Sequence, residues 1–116
     1  MKFNLYEKSY HKSNFLRSVS KKFNLNVEIF QKDIFKEKNL ETNTIVSRAF
    51  KPLPIILELS FQNFKKFNNI ISFLGKNGKE MLEESLSKWQ FEYKQKKSLT
   101  SEDSYLIKIS KLKKYE

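Results

Sequence analysis

A chain of 116 residues with 23 Lys plus Arg against 13 Asp plus Glu carries a net charge of +10, and it contains no Cys and one His. That inventory excludes a disulfide framework, a cysteine nucleophile and a zinc constellation, and it leaves no Ser/His/Asp triad to choose among. Hydrophobic residues at 39%, eleven of them Phe, are enough to build a packed core at the usual size of one domain.

Read in chain order, Met1 to Tyr6 predicts a short strand with Phe3 and Leu5 on one face. Ser9 then offers a helix N-cap, and the helix runs to about Phe23 on a stripe of Phe15, Leu16, Val19 and Phe23, with Asn24 ending it. Asn26 to Gln31 alternates as a second strand, Lys32 to Asn43 is polar loop or short helix, and Thr44 to Ser47 makes a third strand. Pro52 and Pro54 suit a first helical turn. Leu53, Ile56, Leu57, Ser60, Phe61 and Phe64 follow the helical series, so a helix is expected from about Pro54 to Lys66. The nearly all-apolar run Ile70 to Leu74 reads as a strand near the sheet centre, covered on both faces. Gly75 and Gly78 bracket a turn into a helix whose stripe is Met81, Leu82, Ser85, Leu86 and Trp89. Phe91 to Gln95 and Tyr105 to Ile109 close the chain as two strands joined by a polar segment without a helix.

Strand and helix alternation implies parallel crossovers, and the closing pair implies an antiparallel edge, so the fold class is α/β. The longest apolar runs, Leu53 to Leu59 and Ile70 to Leu74, are far shorter than the roughly 20 residues that span a bilayer. Lys, Glu, His and Arg interrupt Met1 to Ser20, so no signal peptide is expected and the default location is cytoplasmic. The basic balance suits a polyanion such as RNA, and it equally describes a solvated Lys-rich surface with no specific ligand.

The segments Leu5-Tyr6-Glu7-Lys8-Ser9, Asn14-Phe15-Leu16-Arg17 and Ile45-Val46-Ser47-Arg48-Ala49-Phe50-Lys51-Pro52-Leu53-Pro54 give a narrower match. With Leu74-Gly75-Lys76-Asn77-Gly78 and Ser104-Tyr105-Leu106-Ile107, they resemble the bacterial small-subunit ribosomal RNA methyltransferase G family, also called glucose-inhibited division protein B. The Ser-Arg-Ala-Phe element is the most specific part. The resemblance implies a Rossmann-like fold, S-adenosylmethionine as cofactor and methylation of a guanine at N7 in 16S ribosomal RNA. It covers the later part of the family's domain, so residues 1–116 are expected to be a partial domain, lacking the N-terminal helices, the first strand and the glycine-rich cofactor loop. Tyr10-His11 departs from the family's pattern of a small residue followed by a basic one.

Glu7, at the end of the first strand, is a candidate for the ribose hydroxyls, against the alternative of an exposed acid near a helix N-terminus. Asp33, Ile34 and Phe35 follow the second strand, where similar enzymes hold the adenine through a carboxylate and a backbone N–H; an ordinary polar loop is the competing reading. Arg48, one of two arginines, follows a strand at the sheet edge and is carried over from the resemblance as a cofactor-pocket residue, against the alternative of a guanidinium bound to backbone carbonyls at a strand end. Lys12, Arg17, Lys51 and Lys76 are candidates for RNA phosphates, and only their clustering would separate them from solvated surface charge. His11 is read as structural or surface, and Phe35, Phe50 and Phe73 as core before base-stacking. No metal and no membrane are expected. Partners are ribosomal RNA or the small ribosomal subunit, and the rival reading is a non-catalytic basic RNA- or ribosome-binding module derived from the same fold.

Overall fold

The computed structural model describes residues 2–48, 52–75, 77–97 and 105–115. The chain divides into two compact units, Met1–Glu37 and Lys38–Glu116.

In the first unit, strand β1 (Phe3–Tyr6) leads into helix α1 (Tyr10–Lys22), and strand β2 (Val27–Phe30) returns parallel to β1 with Phe3 opposite Val27 and Tyr6 opposite Phe30. Ser9 caps α1 as expected, its side chain accepting from the Lys12 N–H. The other end closes in a Schellman arrangement. Asn24 takes a left-handed φ of 52°, its N–H donates to the Lys21 carbonyl at 3.3 Å, and the Leu25 N–H donates to the Ser20 carbonyl at 2.9 Å. The expected core stripe of α1 is only half covered: Leu16 and Val19 are partly buried, whereas Phe15 is 67% and Phe23 65% exposed. Two strands of four residues each are too narrow to cover both margins of a helical stripe within this unit. A single 3-10 turn, Ile34–Lys36, follows β2, with Asp33 as its cap.

The second unit holds a two-stranded parallel pair, β3 (Leu40–Glu41) with β5 (Phe64–Lys66), and a four-stranded sheet. The sheet order is β4 (Thr44–Arg48), β6 (Asn69–Leu74), β8 (Tyr105–Lys114), β7 (Trp89–Lys97). β4 and β6 are parallel, and β8 is antiparallel to both β6 and β7, which gives the antiparallel strand pair expected at the chain's end. Helices α2 (Leu53–Asn63) and α3 (Gly78–Lys88) supply the apolar layer on one face. Pro52 caps α2 and its carbonyl accepts from the Ile55 and Ile56 N–H groups, while Pro54 lies in the first turn, where the ring's missing donor costs nothing.

Leu53, Ile56 and Leu57 of α2 meet Ile70 and Leu74 of β6, Ile107 and Ile109 of β8, Leu82 of α3 and Trp89 in one core. Each such side chain, fully buried, contributes about 1.5–3 kcal/mol relative to exposure. Three sequence expectations change here. α2 stops at Asn63, because Phe64–Lys66 leaves the helix to pair with β3; the helical period continues through Phe64, but backbone pairing decides the conformation. Trp89 belongs to β7 and reaches the core from the sheet. Ile70, Ser72 and Leu74 are buried whereas Phe73 is 47% exposed, so β6 is central in order but covered on one face. Val46, on the same side of the sheet as Ile71 and Phe73 by register, is 56% exposed.

Candidate functional site

Parallel pairing of β1 with β2 brings the ends of both strands to one rim of the first unit. The Tyr6–Phe30 pair closes the ladder, and Glu7 follows Tyr6 directly, its N–H donating to the Phe30 carbonyl at 3.0 Å. Glu7 is partly buried, and its Oε1 accepts from the Ser9 N–H at 3.1 Å. Its carbonyl and that of Ser9 lie 2.8 and 2.7 Å from the hydroxyl of the wholly buried Ser13, which shares its one proton between them. The strand-to-helix turn carrying Glu7 is thus tied at three points, and Oε2 accepts nothing among the described residues.

Three residues beyond β2, Asp33 is partly buried and its Oδ1 accepts from the Phe35 N–H at 3.0 Å. The same bond caps the 3-10 turn and holds Ile34 and Phe35, both partly buried, beside the strand end. Sequence reasoning missed the aromatic pair beneath them. Tyr6 and Phe30 stack with centroids 5.0 Å apart and planes inclined by 16°, and the Lys32 ammonium lies 5.7 Å from the Phe30 centroid. Burial, reinforced by the negative charge of Glu37, raises the Tyr6 phenol above its ordinary value of 10.0, so it remains an O–H donor at neutral pH. The signal that could have found this pair is their place as the last residues of two strands of equal length.

The remaining candidates lie on other elements. Arg48 ends β4 in the second unit, opposite Phe73 in register. Lys51, Lys76 and Phe50 lie outside the described residues. Lys12 and Arg17 are exposed on α1 five positions apart, which sets them about 140° apart around the helix and off a common face. Arg17 donates to Asn14 Oδ1 at 3.2 Å. His11 is exposed and meets Tyr10 edge-on, as a surface residue would. Among the described residues no group of three or more acidic or His side chains is placed to hold a metal ion, and no helix is long and apolar enough to cross a membrane.

Two carboxylates and a stacked aromatic pair at one strand-end rim offer acceptors for hydroxyl and amino groups around an apolar plane, the recognition a nucleoside needs. The fold has counterparts among methyltransferases. The methyltransferase domain of METTL16 superposes with a TM-score of 0.69 over 94% of this chain and 50% of that one, at 14% identity. An S-adenosylmethionine-dependent O-methyltransferase from Thermotoga maritima gives 0.65 over 99% and 51%, at 15% identity. The architecture is therefore the Rossmann-like fold of S-adenosylmethionine-dependent methyltransferases. Within that class, the family model described as rRNA small subunit methyltransferase G matches residues 1–107, and the chain belongs to that family. It is 55% identical, over 97% of its own length, to the ribosomal RNA small subunit methyltransferase G of Pelagibacter ubique. It spans about half the length of the relatives it matches, 53% in that case.

Proposed function

We propose that this chain supplies the nucleoside-holding part of a methyltransferase that uses S-adenosylmethionine to methylate a guanine at N7 in the RNA of the small ribosomal subunit. The observation that carries the reading is the shared rim of Glu7 and Asp33–Phe35 at the ends of neighbouring parallel strands. Glu7, held by the Ser9 N–H through Oε1, presents its second oxygen to the ribose hydroxyls. Asp33, Ile34 and Phe35 take the adenine, and the family resemblance assigns Arg48, the last residue of β4, to the cofactor as well. The family resemblance alone, without a shared face for Lys12 and Arg17, assigns Lys12, Arg17, Lys51 and Lys76 to RNA phosphates. The methionine end is held by a glycine-rich segment, which the 116 residues, with Gly75 and Gly78 as their only glycines, do not contain.

When bound, the cofactor supplies a sulfonium methyl group. The acceptor N7 carries a lone pair and has no proton to remove, so no general base would be required of the chain's residues. The residues' task is then to align donor and acceptor and exclude water, which agrees with a rim rich in positioning groups and poor in acid/base pairs.

Calorimetric titration with S-adenosylhomocysteine tests the reading on this chain and on a chimera joining it to the part of the Pelagibacter ubique relative it does not match. Binding by the chimera, weakened about tenfold by Glu7→Gln, is expected, because the amide keeps the Ser9 contact but loses a charged acceptor. Absence of binding in both forms refutes the enzyme, and salt-sensitive RNA binding without cofactor dependence would then identify a non-catalytic RNA module.

A further inference from the structure

The second unit carries an open hollow of about 620 Å³, a size in the range of small-ligand sites, between the end of α2, strand β5 and the far part of β8. Phe61, Phe64 and Phe67 line it together with Lys65, Lys66 and Lys111, and its lining contains no carboxylate. It lies at the amino end of β6, since Lys66 and Phe67 precede Asn69 and Asn69 pairs with Ser110. Arg48 and Leu74 mark the opposite strand ends, about 17 Å away along β6. The hollow is therefore separate from the strand-end rim that ligands of open α/β sheets occupy.

We infer that this hollow binds an unpaired nucleotide of RNA, its base against the phenylalanines and its flanking phosphates on the lysines. Phe61 is 48% exposed and is braced edge-on by Trp89 at 5.3 Å, so its ring is both presented and held. Phe64 and Phe67 stand edge to face at 6.4 Å, and both are partly buried. A partly exposed aromatic cluster interleaved with cations is the composition that stacks bases without reading their sequence. Lys111 reaches the hollow from a β-bulge, where Lys111 and Leu112 together oppose Phe91, and its backbone adopts a left-handed φ of 56° that a lysine rarely takes. Glu41 and Glu92 pair with Lys65 at 4.0 Å and Lys111 at 3.4 Å, but all four side chains are well exposed, so a phosphate can displace the carboxylates at little cost. The choice of RNA as partner rests on the family reading; the hollow itself does not.

The test uses the whole chain and a short single-stranded oligoribonucleotide carrying 4-thiouridine, beside the same sequence as a duplex. Photo-crosslinks mapping to residues 61–67, and preference for the single strand, are expected. Exchanging both Lys65→Gln and Lys66→Gln removes two phosphate contacts, so the loss of affinity between about 50 and 200 mM salt should shrink about sevenfold. Crosslinks confined to other segments, equal binding of the duplex, an unchanged salt slope or no RNA binding would each overturn the inference. Cofactor titration of the same double variant in the chimera keeps the two readings apart: undiminished cofactor binding with crosslinks elsewhere defeats this site and leaves the methyltransferase standing, whereas crosslinks at residues 61–67 with no cofactor binding by either the chain or the chimera do the reverse.

Discussion

Ser13→Ala tests whether the turn that carries Glu7 is held by a side chain rather than by the helix alone. The Ser13 hydroxyl is wholly buried and lies 2.8 Å from the Glu7 carbonyl and 2.7 Å from the Ser9 carbonyl. Its removal does not affect the two acceptors equally. The Ser9 carbonyl still receives the Ser13 N–H at 2.9 Å, whereas the Glu7 carbonyl loses the hydroxyl. An acceptor left unsatisfied in this part-buried setting costs the lower part of a range of about 1–3 kcal/mol, and the better helix propensity of alanine returns roughly 0.5 kcal/mol, so a net loss of about 1 kcal/mol is expected. Amide hydrogen exchange in β1 and at Ser9 should report the change, with protection falling about fivefold. Ser18→Ala provides the control, because its hydroxyl bonds only the Asn14 carbonyl at an exposed site. Equal protection in both variants would refute the claim that Ser13 fixes the turn.

Two further outcomes follow from local geometry. At Gly78 an added Cβ would stand 2.6 Å from the Leu74 Cβ, an atom fixed to the strand backbone, whereas at Gly75 nothing lies within 4 Å. Gly78→Ala should therefore lower stability by about 1–3 kcal/mol despite alanine's better helix propensity, and Gly75→Ala should leave the urea midpoint nearly unchanged. Tyr6, whose phenol is raised by burial and by Glu37, favours folding fully below its unfolded value of 10.0 and loses that contribution as pH rises beyond it. Ultraviolet titration should show one late-ionising tyrosine that Tyr6→Phe abolishes, and the variant should be less sensitive to pH above about 10.

Local chemistry was legible where one element decides it. The Ser9 cap, the left-handed Asn24, the prolines at the start of α2 and the two-residue repeat of the closing strands are all written in adjacent residues, and the structure carries each of them. The failures lie where a distant partner decides. Phe64 continues a perfect helical series, yet Phe64–Lys66 pairs with Leu40–Glu41, a two-residue strand with no signal of its own. Phe15, Phe23 and Phe73 look like core by composition and spacing, but exposure depends on what covers a face, and no period in the sequence records that.

The site divides in the same way. Glu7 and Asp33 can be placed at a common rim from sequence because parallel strands joined by one helix must end on the same side, a constraint that needs only β1, α1 and β2. Tyr6 and Phe30 were hidden because stacking depends on register, and a shift of one residue would send the two rings to opposite faces. The phenylalanine and lysine hollow was less visible still. It is assembled from residues 61–68 and 110–112, and the second group includes the bulge at Lys111 in β8. A net charge of +10 says that a polyanion is welcome but not where, since an isolated lysine looks the same on a solvated face as in a binding site. What distinguishes Lys65, Lys66 and Lys111 is three aromatic rings beside them in a lining free of carboxylates, a property of the folded surface that neither charge counting nor spacing expresses.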